Sequence, residues 1–121
     1  MNVLAVDDSR TIRNMVSLAL TQAGITSQVA EDGLHGLEVL SQMALDAIIT
    51  DINMPRMDGF EFIQEVRKQD AYQGIPILVL TTESAQDMKL RARQAGATGW
   101  IVKPFDPAKL VGALQIGRAH V

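Results

Sequence analysis

The chain contains no cysteine. That excludes a disulfide framework and a thiolate metal site, and leaves the protein itself no redox chemistry. No run approaches the roughly 18 consecutive apolar residues of a membrane span, and the N-terminus lacks the basic-then-apolar order of a secretory signal. A soluble, unexported, cytoplasmic protein is the expectation. Strong charge is also missing: the formal net charge is -3 and the basic residues are scattered, which argues against binding to a nucleic-acid backbone. Linkers and low-complexity tracts are absent too. What is present is 121 residues, 47% of them hydrophobic, enough for one domain with a real core and no room for a second.

Five short apolar runs, Asn2–Val6, Thr26–Ala30, Asp46–Thr50, Ile75–Leu80 and Gly99–Val102, alternate with segments whose apolar residues recur at helical spacing. In the first helical segment Ile12, Met15, Val16, Ala19 and Ala23 share one stripe, and Gly24 suits its end. The second, Leu34–Ala44, repeats the pattern with Leu34, Leu37, Leu40 and Ala44. A third follows Asp58, where Asp58 and Glu61 can form a capping box. The fourth runs from about Ser84 to Ala95, and the fifth starts near Asp106 with Pro107 in its first turn. Runs such as Ala47–Ile49 and Ile77–Leu80 are apolar on both faces, as strands of a parallel sheet covered on both sides must be. The pattern predicts an α/β fold, a doubly wound five-stranded parallel sheet of flavodoxin-like order 2-1-3-4-5 with five helices. Residues 1–116 form the expected domain. Gly117 interrupts the last helical pattern, so 117–121 reads as an irregular tail, truncated or foreign.

In an open parallel sheet the ligand site lies beyond the carboxyl ends of the strands. There the sequence places Asp7-Asp8 after the first run, Asp51 after the third, Thr81-Thr82 after the fourth and Lys103-Pro104 after the fifth. Singly, each has an ordinary explanation. Asp before a helix commonly caps it, Asp51 can merely open the irregular loop to Gly59, and a strand-end threonine or a surface lysine is unremarked. The coincidence of all of them on one edge outweighs those explanations. Three carboxylates brought together repel unless a cation neutralises them, and oxygen-only ligands suit Mg²⁺ or Mn²⁺. A carboxylate is also a competent nucleophile toward phosphorus. Asp51, alone at its strand end, is the candidate phosphoacceptor, while the Asp7-Asp8 pair, with the backbone carbonyl of Asn53, is placed to hold the metal. Lys103 would neutralise a phosphoryl oxygen and Thr81 would donate its hydroxyl to another.

These residues resemble the receiver domain of two-component response regulators, and more narrowly the stand-alone chemotaxis regulators of the CheY type. The resemblance covers nearly the whole chain. It is carried by Val6-Asp7-Asp8-Ser9, by Asp51-Ile52-Asn53-Met54-Pro55 with Met57-Asp58-Gly59, by Thr81, and by Val102-Lys103-Pro104-Phe105. It implies phosphorylation of Asp51 by a histidine kinase's phosphohistidine, Mg²⁺ at Asp7, Asp8, Asp51 and the Asn53 carbonyl, phosphoryl contacts from Lys103 and Thr81, and a cis bond before Pro104. It further implies that Thr81 moves toward the phosphoryl group and that Trp100, where the family more often has tyrosine or phenylalanine, turns inward behind it. The face of the fourth helix, fifth strand and fifth helix, with Lys89, Arg93, Trp100 and Lys109, would then present itself to an output protein such as a flagellar motor switch component, or to a phosphatase. Asn53 and Glu83 match the chemotaxis pattern at positions near the attacking water, implying a short-lived phosphoryl state. The chain would be a monomeric signalling protein rather than an enzyme. A phosphate sink or phosphorelay intermediate, or the receiver half of a longer regulator, would present the same site. An aspartyl-phosphate phosphatase lacks its substrate-selecting cap here, and a dinucleotide-binding domain lacks its glycine-rich turn.

Overall fold

The structure is a computed structural model that describes residues 1–119. In chain order it contains β1 (Asn2–Val6), α1 (Arg10–Gln22), β2 (Thr26–Ala30), α2 (Gly33–Leu40), β3 (Ala47–Thr50), α3 (Gly59–Arg67), a 3₁₀ turn at Asp70–Tyr72, β4 (Ile77–Thr81), α4 (Gln86–Ala95), β5 (Gly99–Val102) and α5 (Pro107–Ala119). All strands are parallel, in the order β2-β1-β3-β4-β5. This is the doubly wound sheet that the βα alternation predicts.

Alternation of side chains along each strand divides the interior into two cores. Leu4, Val6, Ile48, Ile77 and Val79 face one way, against Leu40 of α2, Phe62, Ile63 and Val66 of α3, and Ala92 of α4. Val3, Ala5, Ala47, Ile49, Leu78 and Leu80 face the other, against Val16 and Leu20 of α1 and Leu110 and Leu114 of α5. Both faces of the central strands are therefore apolar for a reason.

Helix starts are set by side-chain oxygens that satisfy free amides. Ser9 caps α1 through the Ile12 N–H, Asp32 caps α2 through His35, and Asp58 caps α3 through Glu61. Helix α4 differs: Ala85 at its N-cap offers no side-chain hydrogen bond. Its other end is gripped. The Arg67 guanidinium donates to the Gly96 carbonyl through Nε (3.0 Å) and Nη2 (2.8 Å), and through Nη1 to the carbonyls of Tyr72 (2.6 Å) and Gln73 (3.1 Å). Gly96 has φ +121°, and a Cβ there would stand 2.6 Å from Arg67 Cγ, so the turn requires glycine on both counts.

Four local expectations need correction. Helix α5 continues through Gly117 to Ala119, because a glycine inside a helix costs only about 1 kcal/mol and does not by itself end it. Of the expected irregular tail, His120 and Val121 lie outside the described residues. Helix α2 ends at Leu40 rather than Ala44; the Ser41 hydroxyl donates to the Glu38 carbonyl (2.7 Å), the local bonding by which serine competes with helix continuation. Helix α4 starts at Gln86 rather than Ser84. On α1 the buried positions are Val16, Ala19 and Leu20, whereas Met15 is 45% exposed; the stripe runs one residue further round the helix than the apolar spacing suggested.

Candidate functional site

Adjacent β1 and β3 bring their carboxyl ends side by side at the point where the strand order reverses. Val6 pairs with Thr50, so the next residues, Asp7 and Asp51, emerge together. Both are buried, while Asp8 is exposed to solvent. Asp7, Asp8 and Asp51 each offer a carboxylate oxygen, and these three atoms lie within 4.8 Å of one another. Lys103, following β5, reaches across the edge. Its Nζ donates to Asp7 Oδ2 at 2.8 Å and to Asp51 Oδ2 at 3.0 Å, with its side chain only 10% exposed. The peptide bond from Lys103 to Pro104 is cis, as the resemblance implies.

The remaining oxygens of the two buried acids are held by backbone. The Ser9 N–H donates to Asp7 Oδ1 (2.9 Å) and the Ile52 N–H to Asp51 Oδ1 (2.7 Å). Burial holds the Asp7 carboxyl above the usual carboxylate value, against the lowering influence of the Lys103 ammonium and the Ser9 amide, and the Asp51 charge adds to the rise. Burial also opposes the Lys103 ammonium, but its two carboxylate partners outweigh it and raise Lys103 above its ordinary value. One ammonium facing three carboxylates leaves the cluster short of positive charge. An all-oxygen donor set, negative and open to solvent at Asp8, fits a hard divalent ion such as Mg²⁺ or Mn²⁺.

A second linked set runs from this edge toward the surface. Thr81 is the last residue of β4 and fully buried. Its hydroxyl accepts the Glu83 N–H at 3.4 Å, and the Glu83 carboxylate accepts the Asn53 side-chain amide at 3.3 Å. The Glu83 carbonyl in turn accepts the indole N–H of half-buried Trp100 at 2.9 Å. Glu83 thus touches the loop after β3, the end of β4 and the aromatic on β5. Beyond Trp100 lies a groove of about 320 Å³ between α4 and β5, with Lys89, Leu90, Arg93 and Thr98 among its walls. Lys109 lies exposed on neighbouring α5.

Of the residues singled out from the sequence, Asp7, Asp8, Asp51, Asn53, Thr81, Glu83 and Lys103 gather at this edge, Trp100, Lys89 and Arg93 line the groove that leads from it, and Lys109 is exposed on α5. Sequence reasoning missed three supporting groups. Arg13 donates to the Asp7 carbonyl (2.7 Å), Thr50 donates its hydroxyl to the Asp51 carbonyl (2.8 Å), and Arg56 forms a two-bonded ion pair with Asp32. The first two are contacts of backbone carbonyls, which leave no mark in residue type. The third joins residues 24 apart across two loops.

Comparison with known proteins agrees with the geometry. The response regulator receiver domain model matches residues 3–115. The chain is 38% identical over 111 residues to chemotaxis protein CheY-3 of Vibrio cholerae, covering 91% of this chain and 85% of that protein. It is also similar to the solved structure of V. cholerae chemotaxis protein CheY4, at 49% identity and a TM-score of 0.91, covering 95% of this chain and 96% of that one. A third similarity is to the receiver domain of a Pseudomonas aeruginosa sensor histidine kinase, whose structure has a magnesium ion coordinated in the active-site cleft; identity is 27%, TM-score 0.90, and coverage 98% and 97%. With three acids and a lysine joined at the switch-point edge of this sheet, the chain belongs to the response regulator receiver family, as a CheY-like signalling domain with chemotaxis proteins among its relatives.

Proposed function

We propose that the chain is a phosphoacceptor switch in a two-component pathway, acting on Asp51. The observation that carries this reading is the Lys103 ammonium bonded at once to Asp7 and Asp51, on an edge where three carboxylates converge. The Asp51 carboxylate attacks phosphorus in the phosphohistidine of a sensor histidine kinase; the P–N bond breaks, the imidazole leaves with the electron pair and takes a proton, and an acyl phosphate remains on Asp51. Asp7, Asp8, Asp51 and the Asn53 backbone carbonyl would hold Mg²⁺, or Mn²⁺ in its place. Such an ion supplies positive charge to the phosphoryl oxygens as charge builds on them. The magnesium in the Pseudomonas receiver supports that assignment. Lys103 offers a point charge to one phosphoryl oxygen, and Thr81, buried at its strand end, offers a hydroxyl to another.

Output follows from the second set of contacts. A phosphoryl group that draws Thr81 toward Asp51 disturbs the Glu83 N–H bond and, through the Glu83 carbonyl, Trp100. The added charge selects one of two arrangements of the α4-β5-α5 face, where Lys89, Arg93, Trp100 and Lys109 await a partner. The chemotaxis relatives favour a flagellar motor switch component or a phosphatase as that partner. Asn53 and Glu83, bonded to each other beside the acceptor, tune how fast water removes the phosphoryl group. The domain works as a monomer in the cytoplasm, its own site catalysing phosphotransfer and dephosphorylation.

Intact mass and Trp100 fluorescence after addition of acetyl phosphate test this reading. A Mg²⁺-dependent gain of one phosphoryl group is expected in the wild type and is lost in Asp51→Asn. No gain in the wild type under any condition would exclude Asp51 as an acceptor.

A further inference from the structure

The irregular loop from Asp51 to Gly59 carries the Asn53 carbonyl; its base is held by the Ile52 N–H on Asp51 Oδ1 and the Gly59 N–H on the Ile52 carbonyl, and its tip is held from outside the acidic cluster. At its tip the Met57 N–H donates to the Pro55 carbonyl at 2.7 Å, closing a γ-turn around Arg56, whose φ is +67°. A positive φ at a residue with a side chain is unfavourable and persists only where the surroundings impose it. Here the surroundings are the β2-α2 turn. Arg56 donates through Nε to Asp32 Oδ2 at 2.7 Å and through Nη2 to Asp32 Oδ1 at 2.9 Å. Asp32 is buried, with 5% of its side chain exposed, and the same carboxylate caps α2 through the His35 N–H at 2.9 Å. One residue on, the Gly33 N–H donates to the Met57 carbonyl at 3.3 Å, and a Cβ on Gly33 would meet Met57 Cγ at 2.7 Å. The metal-side loop is thus laced to the first turn of α2 at two successive residues, Arg56 and Met57.

We propose that Arg56 is a positioning residue for the divalent-ion site, clamping the Asp51–Gly59 loop onto Asp32 and so fixing where the Asn53 carbonyl stands. The inference rests on the ion-site reading above. Leaving buried Asp32 without its partner also costs stability, so a fall in thermal midpoint alone does not distinguish a positioning role from a stabilising one. The two-bonded geometry gives direction, which a loop that presents a carbonyl needs.

Calorimetric titration with Mg²⁺ of the wild type, Arg56→Ala, Arg56→Lys and Asp32→Asn, with thermal midpoints on the same samples, tests it. Asp32→Asn retains an oxygen to cap α2. The two single changes alter local charge in opposite senses: loss of Arg56 should tighten Mg²⁺ binding if charge alone matters, and loss of the Asp32 charge should weaken it. Positioning demands weakening in both, by about tenfold, with partial recovery in Arg56→Lys. Wild-type affinity in both variants, or tighter binding in Arg56→Ala, would overturn the clamp even if the midpoints fall. A wild type that binds no Mg²⁺ would instead remove the ion site itself, and the clamp with it.

Discussion

Asp7 is the residue at which the site works against the fold. Its carboxyl is raised above the usual 3.8 chiefly by burial, so the ionised form it takes at neutral pH is disfavoured in the folded chain. Stability from this group is fully present below 3.8 and is lost as pH rises from there through the raised value. Asp7→Asn should therefore raise the thermal midpoint of the metal-free protein at pH 7, read by scanning calorimetry in chelator, while Lys103 keeps its bond to Asp51. Asp32 is the opposite case. Its hydrogen bonds and ion pair with Arg56 hold it below 3.8, so its contribution is present above that value and lost as pH falls through the lowered one. Arg56→Ala should move the acid unfolding midpoint, followed by circular dichroism, to higher pH. Of these two acids only Asp7 could be singled out from the sequence as a site candidate. It follows an apolar run directly, beside Asp8, whereas Asp32 looks like any turn acid before a glycine and finds Arg56 only through the fold.

Among the elements, the strands and the core helices were legible because each has one period to obey: β1, β2 and β5 match their apolar runs residue for residue. Helix ends were less so, since they depend on side-chain bonds such as Ser41 to Glu38 that periodicity does not register. Helix α4 shows the same principle from the other side. With Ala85 at its N-cap α4 lacks the capping side chain that α1, α2 and α3 each have, and its Met88 N–H turns instead to Asp87 Oδ1 at 3.0 Å. Ala85→Asp should stabilise the protein by about 1 kcal/mol in urea unfolding. An unchanged midpoint would mean that Asp87 already serves the Met88 amide as well as a cap can. The same element borders Trp100 and the groove, so the proposed output face is built partly from a helix without a capping side chain.

At the scale of the whole molecule, the parallel sheet sends every strand's carboxyl end to one side, and with it Asp7, Asp51, Thr81 and Lys103. Glu83 then links that edge to the α4-β5 face by three hydrogen bonds, to Thr81, Asn53 and Trp100. The candidate residues could be picked out in sequence because one edge collects them; the wiring could not, since two of the bonds from Glu83 use backbone atoms. The opposite edge holds the Arg67 grip on the carbonyls of Tyr72, Gln73 and Gly96. The molecule therefore has a working end and a handle. A short flexible peptide inserted after exposed Gly74, at the handle, should leave phosphoryl uptake from acetyl phosphate unchanged, as measured by intact mass, while the same insertion after Pro55 should abolish it. Tethered to a surface by that end, the domain would keep its proposed acceptor, Asp51, facing the solution.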